Sequence, residues 1–129
     1  MPIVVYNRTK EDHSAHPYNF PIYRGGSILG NPYTDKSVSK TMAVYQVKTR
    51  EEAIQRYGSY FDMQYGRNKE FTEVIDCIYE LYKRGETIYL ECYCHPLRCH
   101  GDIIVEKLQK RLLKEKIKEA KERREHEMG

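Results

Sequence analysis

The sequence predicts an α/β fold: a sheet flanked by helices, with a long C-terminal helix. Three observations carry this. A β-branched run opens the chain, two apolar stripes at helical spacing fill its middle, and a second β-prone run turns abruptly into a third stripe. With 129 residues there is room for one continuous core but not for two. The expected organisation is a single α/β domain over 1–117 and a polar helical tail over 118–129.

Pro2–Tyr6 is the first strand, because its β-branched residues suit a buried pleated surface. Asn7–Tyr33 follows as a long loop rich in turn residues, with His13, His16, prolines and glycines. Loops of that length are uncommon in compact domains unless they build a site or stay disordered, so this segment is a candidate for function. Thr49 and Glu52 form a capping-box pattern, and Ala53, Ile54, Tyr57, Tyr60 and Phe61 repeat at helical spacing, so a helix is predicted over Arg50–Gln64. Asn68 caps a second helix, whose stripe of Phe71, Val74, Ile75, Ile78, Leu81 and Tyr82 closes at Lys83, Arg84 and Gly85. Cys77, inside it, reads as a small packing residue. Thr87–Leu90 is the second strand. The last helix begins near Gly101 or Asp102 and buries Ile104, Leu108 and Leu112, with Leu113 and Ile117 on a slightly shifted stripe.

Composition narrows the function classes. No stretch approaches the roughly 18 apolar residues of a membrane span, and MPIVVYNRTK lacks the apolar region of a signal peptide, so a soluble cytoplasmic protein is expected. The net charge of +3 resides in Ile103–Gly129, where nine Lys or Arg face six Glu. Such interleaved helical charge is a solvated face, and nucleic acid is not an expected partner. Most of the twelve tyrosines read as core or core-edge groups.

The run CYCHPLRCHGD at Cys92–Asp102 sits at the strand-to-helix junction and gathers three thiols, two imidazoles and a carboxylate. Three readings compete. Cys92, Cys94, Cys99 and His100 could hold zinc, although their spacing departs from the usual CxxC knuckle. Alternatively the turn is a ligand pocket, in which the N–H groups from Cys99 to Asp102 bind an anion and Arg24 and Arg98 supply charge. Cys99, at the positive end of the helix dipole, is then the candidate nucleophile, with His100 or Asp102 as its acid–base partner. In the third reading the cysteines are packing residues and Asp102 merely caps the helix. The glycines of RGGSILGNP match neither a P-loop nor a clean dinucleotide fingerprint.

The chain resembles the family called domain of unknown function 4326, found largely in phages and bacteria. The resemblance rests on VVYNR at Val4–Arg8, IYRGGSILGNPY at Ile22–Tyr33, TREEAIQRY at Thr49–Tyr57 and ECYCHPLRCHGD at Glu91–Asp102. Tyr93 stands where that family usually has Trp, and IYRGG where it usually has YIGRG. The Cys-x6-Cys-His pattern is also similar to domain of unknown function 488, whose members are small three-layer α/β proteins with a Rossmann-like sheet; that resemblance implies a small three-layer, Rossmann-like, mixed or parallel sheet flanked by helices here.

The expected pocket therefore lies at the carboxyl ends of the strands, where open α/β sheets place ligands. It joins Asn7 and Arg8 to Arg24, Gly25, Gly26, Ser27, Gly30 and Asn31, and to Arg98 and Gly101, with Cys99, His100 and Asp102 as the reactive set and no metal or cofactor. The expected ligand is a small phosphorylated or nucleotide-like molecule. A phage setting, implied by the resemblance, suggests sequestering or processing of a nucleotide signal in the host cytoplasm; processing would make the protein a hydrolase or transferase. The alternative is a zinc-stabilised module whose tail helix contacts a protein or nucleic acid. A homo-oligomer stays open.

Overall fold

A computed structural model describes residues 3–35, 43–93 and 98–128. The chain is a mixed α/β protein. Its main sheet has three parallel strands in the order β1 (Ile3–Asn7), β5 (Ile88–Cys92), β2 (Asn19–Pro21). Two short parallel strands, β3 (Tyr33–Thr34) and β4 (Tyr45–Gln46), pair separately. The helices are α1 (Arg50–Gln64), α2 (Lys69–Lys83) and α3 (His100–Met128).

Side-chain alternation assigns the two faces of the sheet. Ile88, Leu90 and Cys92 share one face with Ile3, Val5 and Asn7, their register partners. There Ile3, Ile88, Leu90 and Cys92, with Val5 packed against them, join one hydrophobic cluster with Ile54 and Phe61 of α1, Phe71, Ile75 and Ile78 of α2, and Ile104 and Leu108 of α3. Tyr89 and Glu91 point the other way, alongside Tyr6. That face is crossed by the β1–β2 connection, where the His13 ring stacks on Tyr89 at 4.1 Å and the His16 ring meets it edge-on at 4.9 Å. A parallel crossover is normally made by a helix; here a loop with two imidazoles does it.

The helix ends form as their local residues require. Thr49 Oγ1 accepts from Glu52 N (3.1 Å), while the Glu52 carboxylate reaches back to Lys48 N (3.1 Å). Asn68 Oδ1 accepts from Phe71 N, opening α2. At the other end of α2, Gly85 takes a φ of +82°, and the bonds Gly85 N to Tyr82 O and Glu86 N to Leu81 O complete a Schellman cap.

Four sequence expectations are corrected. The segment expected to be loop from Asn7 to Tyr33 contains β2, which owes its existence to pairing with β5 rather than to its own three residues, NFP. Strand β5 runs two residues past Leu90, so Glu91 and Cys92 are strand residues. Cys77 is exposed, because it lies nearly opposite Ile75 around α2. Leu113 and Ile117 are 60% and 58% exposed and belong to no buried stripe. No helix among the described residues is long and apolar enough to cross a membrane.

Candidate functional site

The carboxyl ends of β5 and β2 open into a cleft of about 360 Å³. Its walls come from three places. The segment after β2 contributes Tyr23, Arg24, Asn31 and Tyr33; the first turn of α1 contributes Arg50, Ala53 and Ile54; and the junction between β5 and α3 contributes Cys92, Tyr93, Cys99 and His100. Thr34 and Asp35 complete the rim. A parallel sheet delivers these segments to one edge, because the chain leaves β2 and β5 there and α1 and α3 start there.

The segment after β2 is held by its own bonds. Gly26 N bonds Tyr23 O, Gly30 N bonds Ser27 O, and Ser27 Oγ accepts from Leu29 N, so two successive turns fold the chain back. A Cβ on Gly30 would stand 2.8 Å from the Arg24 Cα, so glycine is required for this close approach. The Arg24 guanidinium donates Nε to Asn31 O (2.6 Å) and Nη2 to Tyr33 O (3.0 Å), which fixes a positive charge in the cleft wall. Asn31 is buried, donating to Ala53 O and accepting from Tyr33 N, and so ties this segment to α1.

The first turn of α3 is largely self-satisfied. The Asp102 carboxylate accepts from Cys99 N at 3.2 Å, and Asp102 N bonds Cys99 O. Gly101 N donates to Cys99 Sγ at 3.3 Å. A Cβ at Gly101 would meet Ile22 Cδ1 at 2.8 Å and Val5 Cγ1 at 3.1 Å, so this glycine lets α3 press onto the sheet. The His100 ring lies in the core beside Tyr57, its Nε2 2.7 Å from Ile22 O, with Nε2 the donor in that contact. Burial pushes its pKa down to about 4, outweighing the opposing pull of the Ile22 carbonyl, and the Arg24 charge adds to the lowering. His100 is therefore neutral near pH 7 and straps the end of β2 to α3.

Of the residues singled out from the sequence, Arg24, Asn31, Cys99 and His100 line the cleft together. Asn7 stands behind it, donating to Tyr93 O and accepting from Thr9. Gly25, with φ +83°, Gly26, Ser27 and Gly30 shape the turns, while Gly101 and Asp102 shape the start of α3. Arg98 turns outward to pair with Glu51 and stands 3.9 Å from Glu106. Arg8 lies toward the opposite face, 3.3 Å from Asp12 and 3.8 Å from the buried Glu91. Cys94 and His95, which the zinc reading and the junction motif include, lie outside the described residues. Among the described residues no three His, Cys, Asp or Glu side chains converge as a metal set.

Sequence reasoning missed Arg50, Tyr23, Tyr33 and Tyr93. Arg50 donates Nε to Arg98 O (3.1 Å) and has no carboxylate partner among the described residues. The available signal was its place directly after the Thr49 cap: in a parallel α/β fold, a residue opening a helix stands at the ligand edge of the sheet. The Tyr23 and Tyr93 rings meet edge-on at 4.9 Å, leaving Tyr93 half exposed.

The family described as Domain of unknown function (DUF4326) matches residues 5–110, and the chain belongs to that family. No curated protein and no solved structure matches the chain.

Proposed function

We propose that this member of the domain of unknown function 4326 family binds a small nucleotide-like ligand in the cleft at the carboxyl ends of its strands. The observation that carries the reading is the convergence of two guanidinium groups, Arg24 and Arg50, with the rings of Tyr23, Tyr33 and Tyr93 in one cleft. A volume of about 360 Å³ falls in the range of small-molecule sites. Cations and aromatic rings side by side suit a ligand that carries phosphate at one end and a planar ring at the other.

Each residue then has a part. Arg24, held on two main-chain carbonyls, presents charge without having to reorganise. Arg50 adds a second cation at the positive end of the α1 dipole. Tyr93 and Tyr23 offer faces for the planar group, and Asp35 at the rim can accept from a ligand hydroxyl or amine. Sequestering fits better than turnover: His100 and Asp102, the partners expected for Cys99, are bonded to backbone. In a phage setting, which rests on the family's distribution, the use we propose is capture of a nucleotide signal in the host cytoplasm.

Calorimetry with nucleoside mono- and diphosphates, nucleosides and inorganic phosphate tests this. Binding that needs both ring and phosphate is expected, and no heat with any of the nucleotides would overturn it. Turnover of a bound nucleotide, lost in both Cys99→Ser and Cys99→Ala while binding persists, would replace sequestering by thiol catalysis.

A further inference from the structure

The exposed half of α3 has an order that the cleft does not use. At 100° per residue, Leu108 and Glu115 fall on the side facing the body, where Leu108 is buried and Glu115 accepts from Tyr79 and pairs with Lys83. Leu113 and Ile117 consequently point to solvent, 60% and 58% exposed. They are not isolated. Leu113, Ile117, Ala120 and Arg124 follow a 4-3-4 spacing, which is the seam of a heptad repeat, with Lys110 and Arg124 as polar members at its two ends.

The positions flanking this seam are Lys114 and Lys121 on one side and Lys116 and Arg123 on the other, all cationic. The acidic residues Glu115, Glu119 and Glu122 lie on the arc away from the seam. Six of the eight basic residues over Lys110–Arg124 therefore lie on or beside a narrow apolar line, with Arg111 and Lys118 off it and every acidic residue away from it.

From this arrangement we infer that the outer face of α3 over Lys110–Arg124 is a docking surface for an amphipathic helix of a partner protein whose flanking positions carry Glu or Asp. A second copy of this chain is disfavoured, since parallel pairing sets one cationic flank against the other and antiparallel pairing sets each against itself. The same repulsion becomes attraction when the partner's flanks are acidic. A lipid surface would call for a broader apolar face than two large side chains. A nucleic-acid backbone would gain nothing from Leu113 and Ile117 at the centre of the stripe.

The test uses the full chain and designed helices of about three heptads with Ile and Leu in the seam. One carries Glu at every flanking position, a second carries Lys, and a third has the composition of the first in scrambled order. Fluorescence anisotropy at physiological ionic strength should show the Glu-flanked helix binding at least about tenfold more tightly than the other two. Leu113→Ser with Ile117→Ser should remove that binding without altering the circular dichroism spectrum, because both side chains are exposed. Reversing Lys114, Lys116, Lys121 and Arg123 to Glu should transfer the preference to the Lys-flanked helix. Equal binding of the scrambled peptide, indifference to the serine pair, self-association abolished by it, or tighter binding to phosphatidylserine vesicles or duplex DNA would each overturn the inference.

Discussion

Glu91 and Cys92 are neighbours on the same central strand, yet they face two polar regions of opposite character. Glu91 is 4% exposed, and its Oε1 meets three partners: Tyr6 Oη at 3.1 Å, Asn19 Nδ2 at 3.1 Å and the Arg8 guanidinium at 3.8 Å. Burial, with the Glu91 charge second, pushes the Tyr6 pKa up to about 12, so its hydroxyl remains a donor. Cys92 opens instead onto the cleft, where Arg24 and Arg50 bring two positive charges and Asp35 one negative charge among the lining residues. A buried polar cluster that satisfies itself serves the fold. The cleft, where two guanidinium groups stand beside aromatic rings, is where the proposed ligand would bind.

The contrast can be broken most severely at Glu91. Replacing it by Ala should cost about 3–5 kcal/mol, because it leaves Arg8 and the Asn19 amide facing a partly buried gap. Urea unfolding measures this, and a loss below about 1 kcal/mol would show that the cluster is not structural.

Next comes pH. His100 has a folded pKa of about 4, below the ordinary value of 6.5, so the folded state disfavours its protonation. The stability it contributes is complete above about pH 6.5 and is lost as pH falls through 4, by about 3 kcal/mol in all. Thermal unfolding across that window should show the decline, and His100→Gln should flatten it. An unchanged profile in the variant would remove His100 from the account.

Gly30→Ala should cost about 1–3 kcal/mol, since the new methyl overlaps the Arg24 main chain and cannot be relieved by a rotamer change. The displaced Arg24 should also weaken nucleotide binding, which couples the turn to the cleft. Full affinity in a destabilised variant would separate the two. Smallest in stability is Arg50→Ala: an exposed residue with one hydrogen bond to Arg98 O should change folding by no more than about 0.5 kcal/mol.

The helices were legible because their signals are local. Thr49, Asn68 and Gly85 each act on groups within a turn, so α1 and the closing turn of α2 could be read directly from residue type. Strand β2 was not legible, because Asn19–Pro21 becomes a strand only by pairing with Tyr89–Glu91, seventy residues away in the chain. For the site, Arg24, Asn31, Cys99 and His100 stood out through their motifs and do line the cleft. Arg8 also stood out, but the parity of β1 carries the chain past Asn7 toward the opposite face, which no motif records. Leu113 and Ile117 kept helical spacing while lying off the buried arc, and spacing alone does not tell which arc meets the body.

The cleft and the Glu91 cluster lie on opposite faces of the sheet and have separate tasks, and one paired titration tests this directly. Isothermal calorimetry of a nucleoside phosphate is compared for Arg50→Ala, on the cleft, and Arg8→Ala, on the far face. Arg50→Ala should lose about 1.5–3 kcal/mol of binding free energy, roughly 10- to 150-fold in Kd, whereas Arg8→Ala should keep the wild-type Kd. Loss of binding in Arg8→Ala with full affinity in Arg50→Ala would contradict the account.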